Sequence, residues 1–274
     1  MTATSSVLTI ERDGHVGTLW LDNPERRNAM GPALWDDLPA MMDDLTDDPE
    51  VRVVVIAARG PCFTVGLDLK TMGGAVAGGG EGRSEASKRT AMLRGLKHLQ
   101  GSINAVADCP KPVIAAVHGY CIGGGIDLIT ACDIRLASSD AIFSVRETKI
   151  AIVADLGTLQ RLPGIVGRGH VAELALSGKD ITAERAQAIG LVNDVLADQD
   201  ALLKATHELA AEIASNSPLV VQGTKAVLRA GEGRSVAEGL DYVGIWNAAF
   251  LQSNDLVEAM TAFMEKRAPR FTGE

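Results

Sequence analysis

The residues best suited to chemistry gather around two glycine turns. Gly123, Gly124 and Gly125 follow the apolar run 113–117 and precede Ile126-Asp127-Leu128, the start of a short apolar helix pattern. Consecutive glycines let a ligand approach bare backbone N–H groups. A helix that begins there points several unpaired N–H groups and its positive end at one place, which suits a negative oxygen. Taken alone, the segment reads equally as a tight packing turn between a helix and a strand. The run 51–58 leads through Arg59-Gly60-Pro61 to Phe63-Thr-Val-Gly66-Leu67-Asp68-Leu69-Lys70, again a buried strand passing into a glycine turn. Two such turns can supply one N–H each, the pair that an oxyanion hole requires. Leu67 and Gly124 are the expected donors.

Two acids near these turns sit in apolar surroundings. Asp127 lies between Ile126 and Leu128, and Asp155 between the run 150–154 and Leu156. Most Asp and Glu are solvated surface groups, and these neighbours make exposure less expected for both. Acids whose pKa values are driven apart by burial and mutual repulsion can remove a proton at one point and return one at another. Asp133 reads as a structural or capping acid and Lys149 as ordinary surface charge.

The elements that must hold these residues alternate early and turn helical late. Strands are expected at 7–10 and 16–21, joined at Asp13-Gly14, then at 51–58, 113–117, 134–137 and 141–144. Helices are expected at 34–45, weakened by Pro39, and at 87–106, 171–176, 183–189, 202–214, 219–228, 236–251 and 255–266. The glycine-rich stretch 73–87 reads as a mobile surface loop. The pattern implies an α/β core to about residue 200 and a helical part over 201–274.

Composition narrows the function classes. A net charge of −9 argues against nucleic acid or a membrane surface as partner, and no apolar run is long enough to span a bilayer. The cysteines, Cys62, Cys109, Cys121 and Cys132, form no C-x-x-C pair. Reduced thiols are expected, with no structural zinc or disulfide framework. The five histidines are scattered, and no metal site is expected. With neither a signal segment near Met1 nor a peroxisomal address at the last residues, the expected location is the cytoplasm. No G-x-S-x-G or phosphate loop occurs. The stretch from Gly167 to Ala172 matches a dinucleotide fingerprint only loosely, because Pro163 and Gly164 stand where a strand is needed.

The segments 63–69 and 119–127 resemble the two oxyanion segments of the crotonase (enoyl-CoA hydratase/isomerase) superfamily. The resemblance continues through Gln160-Arg161-Leu162-Pro163, the segment 188–192 and the segment 262–267, and covers the chain from Asn23-Pro24 onward. It implies a ClpP-like spiral ββα core over 1–200. It also implies that 201–274 assembles subunits into a homotrimer or a dimer of trimers. The substrate implied is an acyl-CoA thioester, whose CoA arrives with the substrate, so no separate cofactor is expected.

The acids select a branch of the superfamily. Hydratases usually carry Glu at the position of Asp127 and a second Glu matching Glu147, and typically have glycines near Asp155. Asp127, Glu147 and Asp155, spaced by 20 and 8, resemble instead the Δ3,5-Δ2,4-dienoyl-CoA isomerases of fatty acid β-oxidation. The resemblance implies that Glu147 lies near C2 of the acyl chain and Asp155 near C6, with Asp127 in support. For CoA and substrate it implies Arg26, Arg27, Ala29, Gly66, Asp68, Leu69, Lys70 and Gly123, with Lys266 reaching a neighbouring subunit. Each of these cations reads otherwise as plain surface charge. The competing readings are an enoyl-CoA hydratase, with Asp155 incidental, and a non-catalytic acyl-CoA-binding protein.

Overall fold

Apolar, β-branched runs separated by glycine turns build the frame. The computed structural model describes residues 3–76 and 84–274. Its strands are β1 (Leu8–Asp13), β2 (Val16–Leu21), β3 (Val53–Ala58), β4 (Val113–Val117), β5 (Tyr120–Ile122), β6 (Ile134–Ser138), β7 (Ile142–Ser144), β8 (Ile181–Thr182) and β9 (Asp194–Leu196). Its helices are α1 (Pro32–Asp47), α2 (Leu69–Val76), α3 (Glu85–Asp108), α4 (Gly124–Thr130), α5 (Thr158–Arg161), α6 (Arg168–Ser177), α7 (Ala183–Ala188), α8 (Gln199–Ala214), α9 (Pro218–Ala230), α10 (Val236–Phe250) and α11 (Asn254–Glu265).

The large sheet has the order β1-β2-β3-β4-β6-β9. Only the β1–β2 hairpin is antiparallel. Every residue of β3 and β4 is buried, as parallel strands covered on both faces require. Side chains alternate between faces. Val54, Ile56 and Ala58 turn toward the cluster that holds Leu38, Met42 and Leu45 of α1. Val53, Val55 and Ala57 turn toward Leu202, Ala210 and Ala214 of α8.

A smaller sheet, β5-β7-β8, stands beside the first. The chain spirals between them: β4 passes to β5 through His118 and Gly119 alone, and β6 passes to β7 through a short turn. Parallel bridges pair Thr64 with Cys121 and Met30 with Leu67. They carry the second layer onward to both glycine turns, so the spiral places the turn after β3 beside the turn after β5.

Pro39 does not break α1. Leu34, Trp35, Leu38, Met41, Met42 and Leu45 all bury one face of that helix, and this packing outweighs the roughly 3 kcal/mol that an interior proline costs. The loop expected at 73–87 is corrected at both ends. The α2 helix runs to Val76, and Ser84 caps α3 by accepting the N–H of Ser87; residues 77–83 lie outside the described residues. The residues before Gly167 form a 3-10 turn, Leu162–Gly164, rather than a strand. The boundary drawn at residue 200 falls within α8, which packs on the large sheet. The helices that leave the sheet begin at α9.

Candidate active site

Hydrogen bonding turns the first donor toward the second. Met30 N–H donates to Gly66 O (2.8 Å), and Asp68 N–H donates to Met30 O (3.1 Å). Successive peptide groups in an extended segment point opposite ways, so Leu67 N–H faces away from Met30. On that side lies the second glycine turn. A Cβ added to Gly66, whose φ is +83°, would lie 2.6 Å from Ile122 O and 3.6 Å from Gly124 N. Among the described residues, neither Leu67 N–H nor Gly124 N–H donates a hydrogen bond within the chain. Gly123 (φ +54°, ψ −116°) makes the corner before α4, a region of conformation open to glycine.

The acids meet beside this turn. Asp127, on the first turn of α4, is almost wholly buried. Its Oδ1 accepts Thr158 N–H at 2.7 Å, which ties α4 to the start of α5. Burial pushes its carboxyl up from the ordinary range, against the pull of the Thr158 bonds. Glu147 opens the 3-10 turn Glu147–Ile150. Its Oε2 is buried with no hydrogen-bond partner, and its Oε1 lies 3.3 Å from where a Cβ on Gly123 would sit. Burial, reinforced by the charges of Asp127 and Asp155, raises Glu147 to about 7.

Asp155 corrects a sequence expectation. It is exposed in the single chain, although the desolvation it does undergo still raises its carboxyl. The flanking apolar run does not bury it. Ala154 and Leu156 turn inward, while Val153 is 75% exposed, and an alternating segment puts Asp155 on the same side as Val153. Beside this segment lies a cavity of about 790 Å³ lined by Val145, Ile152, Val153, Leu159, Val171 and Leu176, among others.

Most of the remaining site residues flank the oxyanion segment. Asp68 is buried and accepts the N–H groups of Lys70 and Thr71 at the start of α2. Its Oδ2 pairs with Arg26 at 2.7 Å. Burial works against its charge, but the Thr71 bonds and the Arg26 guanidinium outweigh it and hold the carboxyl below the ordinary range. Asp68 is thus a cap and an anchor for Arg26. Arg27 stands exposed in a left-handed conformation (φ 51°), and Ala29 N–H bonds back to Arg26 O. Leu69 and Lys70 are exposed at the start of α2. Lys266 is apart from this group, exposed where α11 ends.

Several supporting residues were not foreseen. Buried Asn28 donates from Nδ2 to Arg59 O and Cys62 O, both at 2.9 Å, and accepts Asn23 N–H. Thr64 Oγ1 donates to Asn28 O and accepts Gly66 N–H. Together they pin the oxyanion segment to the chain before α1. The available signal was Asn28 after Asn23-Pro24, since Asn is among the few residues that adopt left-handed backbone readily. Thr158 and Gln100, which hold the segment around Asp155, carried no local signal.

A spiral of paired sheets with unpaired N–H groups at two adjoining turns and three acids beside them defines a crotonase-type enzyme scaffold. Residues 11–274 match the family model of the enoyl-CoA hydratase/isomerase family, and the chain belongs to that family. It is 45% identical over 256 residues to a mitochondrial Δ3,5-Δ2,4-dienoyl-CoA isomerase of Dictyostelium discoideum, covering 93% of this chain and 87% of that protein. It is 42% identical to the peroxisomal Δ3,5-Δ2,4-dienoyl-CoA isomerase of Arabidopsis thaliana, covering 98% and 96%. Among solved structures, enoyl-CoA hydratase from Bacillus anthracis superposes with a TM-score of 0.88 at 30% identity, covering 98% of this chain and all of that one. The cytoplasmic expectation is overturned by these relatives, which are named for mitochondria and peroxisomes. Buried, unpaired cysteines report thiol chemistry and carry no address.

Proposed function

We propose that this enzyme is a Δ3,5-Δ2,4-dienoyl-CoA isomerase of fatty acid β-oxidation, with Asp127, Glu147 and Asp155 as its acids. The observation that carries the reading is Glu147, whose buried Oε2 has no hydrogen-bond partner, set against the turn that leaves Leu67 N–H and Gly124 N–H unpaired among the described residues. The names of the relatives support the same substrate class.

The reaction moves one proton and relocates two double bonds. Glu147 removes a proton from C2 of the 3,5-dienoyl thioester, and the electron pair spreads through the diene to the thioester oxygen. Leu67 N–H and Gly124 N–H hold that oxygen as it becomes negative, each contributing roughly 3–4 kcal/mol at the transition state. Asp155 then gives a proton to C6, leaving double bonds at C2 and C4. The proton gained by Glu147 and the one lost by Asp155 balance, and exchange with solvent resets the pair. A base near pH 7 suits removal of a proton from a carbon acid better than an ordinary carboxylate does. Asp127 supports by holding Thr158.

Arg26, oriented by Asp68, meets the CoA phosphates together with Arg27 and Lys70, while Ala29, Gly66, Leu69 and Gly123 line the path of the thioester. The exposed apolar residues of α9–α11 pack chains into a homotrimer or a dimer of trimers, which brings Lys266 to a neighbour's CoA. The likeness to a solved enoyl-CoA hydratase favours water addition as the second reading. Assays with a 3,5-dienoyl-CoA and a trans-2-enoyl-CoA separate the two. The expected outcome is rapid diene conversion that is lost in Asp155→Asn. Faster hydration of the enoyl thioester selects the hydratase, and binding without turnover of either selects a non-catalytic carrier.

A further inference from the structure

The segment that carries Asp155 is held in place by side chains. Ile152 N–H donates to Glu147 O at 3.0 Å, and Gly157 O accepts the N–H groups of Gln160 and Arg161. Between those points, Val153, Ala154, Asp155 and Leu156 make no backbone–backbone hydrogen bond among the described residues. Three side chains take over. Asp127 accepts Thr158 N–H. Arg161 reaches Leu156 O at 3.4 Å and is itself held by Asn104. Gln100 Nε2 donates to the carbonyl oxygen of Asp155 itself, at 2.7 Å.

Gln100 and Asn104 both lie on α3, one helical turn apart and so on the same face. That helix is seated by buried Ser102, Ile103 and Val106 between them and just beyond, and Ser102 Oγ donates to Trp35 O of α1. The helix is thus fixed to the core, and the Gln100 bond is the one that reaches the main chain of Asp155 among the described residues. We propose that Gln100 is a positioning residue that holds the peptide of Asp155 so that its carboxyl group meets the far end of the substrate diene. Gln100 touches no reacting atom; it acts through Asp155, and this role rests on the isomerase reading above. A displacement of about 1 Å in a catalytic group costs as much as 100-fold in rate, so loss of one such tether is measurable.

The test compares wild type, Gln100→Ala, Gln100→Glu and Asp155→Asn on a 3,5-dienoyl-CoA in D2O. Gln100→Ala is expected to lower kcat by about 10- to 100-fold, with KM within about twofold and an unchanged Tm. Gln100→Glu keeps the length but offers no donor once ionised, and it is expected to match Gln100→Ala. In both, the dienolate waits longer for its proton at C6, so the proton on Glu147 has time to exchange and recovered substrate gains deuterium at C2. A structural defect alone does not produce that excess. Wild-type kcat in either variant, or a kcat loss with no rise in C2 deuterium, overturns the proposal. Asp155→Asn reports on the underlying reading: full turnover there defeats Asp155 as the acid that serves C6, and with it the positioning role, whereas lost turnover there with unaffected Gln100 variants defeats the positioning role alone.

Discussion

A buried carboxyl oxygen without a hydrogen-bond partner is costly, and Glu147 carries that cost beside the glycine turn. Its carboxyl, raised to about 7 by burial and by two neighbouring acids, binds a proton in the folded chain at pH values where the unfolded chain has released it. The native state therefore holds more protons between the ordinary Glu value and about 7, and stability falls as pH rises through that window. Glu147→Gln is expected to stabilise the protein by roughly 1–3 kcal/mol at pH 8 and to leave it unchanged at pH 4, as urea unfolding at both pH values would register. The same substitution removes the proposed base, so turnover of a 3,5-dienoyl-CoA should fall by about 100- to 10,000-fold. In the wild type, kcat/KM should rise with pH on a limb centred near 7, and a flat profile from pH 6 to 8 would count against Glu147 as the group that ionises. None of this burial was legible from Arg146 and Thr148, the polar neighbours of Glu147. The resemblance singled the residue out. At Asp155 the neighbours misled, because alternation along an extended segment sent Val153 and Asp155 outward together.

Elements convert local rules into the geometry of the turn. Gly66 combines a φ of +83° with 2.6 Å between an added Cβ and Ile122 O, so Gly66→Ala is strained and crowded against backbone. The expected cost is about 1–3 kcal/mol of stability. Because Leu67 N–H follows directly, a drop in kcat of at least tenfold is also expected. Gly169→Ala is the control: the position lies in α6, and a Cβ there meets nothing within 4 Å, so a higher Tm with unchanged kcat is expected. Equal kcat in both variants would remove the turn from the mechanism. The central strands β3 and β4 were readable because both faces of the sheet are covered there, which makes 113–117 an unbroken apolar run. The short strands β5, β8 and β9 span two or three residues and show no period. They exist because neighbouring strands offer them hydrogen bonds, a tertiary cause that local pattern does not carry. The α2 helix hid in the same way, under the glycines that suggested a loop.

At the scale of the whole molecule, the late helices expose a series of large apolar side chains. Leu228, Leu240, Ile245, Val257, Met260, Phe263 and Met264 on α9–α11 are all more than half exposed, with Phe263 at 81% and Met264 at 80%. A soluble chain seldom presents so many large apolar side chains on consecutive helices unless they form an interface. The late helices were legible from their period. Their solvent-facing apolar residues are not needed to close the core, because α8 already covers the sheet's far face, and this is what supports the proposed assembly. The proposed assembly also bears on the site, where Asp155 and Val153 stand open in the single chain while the reaction calls for a water-poor surrounding. Light scattering of the wild type is expected to give a mass that is a multiple of the 28.7 kDa chain. The double substitution Phe263→Glu and Met264→Glu is expected to shift that mass toward a single chain while circular dichroism stays unchanged, since neither residue belongs to the buried core. If neighbouring chains complete the site, turnover per chain must fall with the mass, and raising the concentration of the variant should restore both together. A variant that stays monomeric at full turnover would separate assembly from catalysis and leave Asp155 to work at the exposed surface of the single chain.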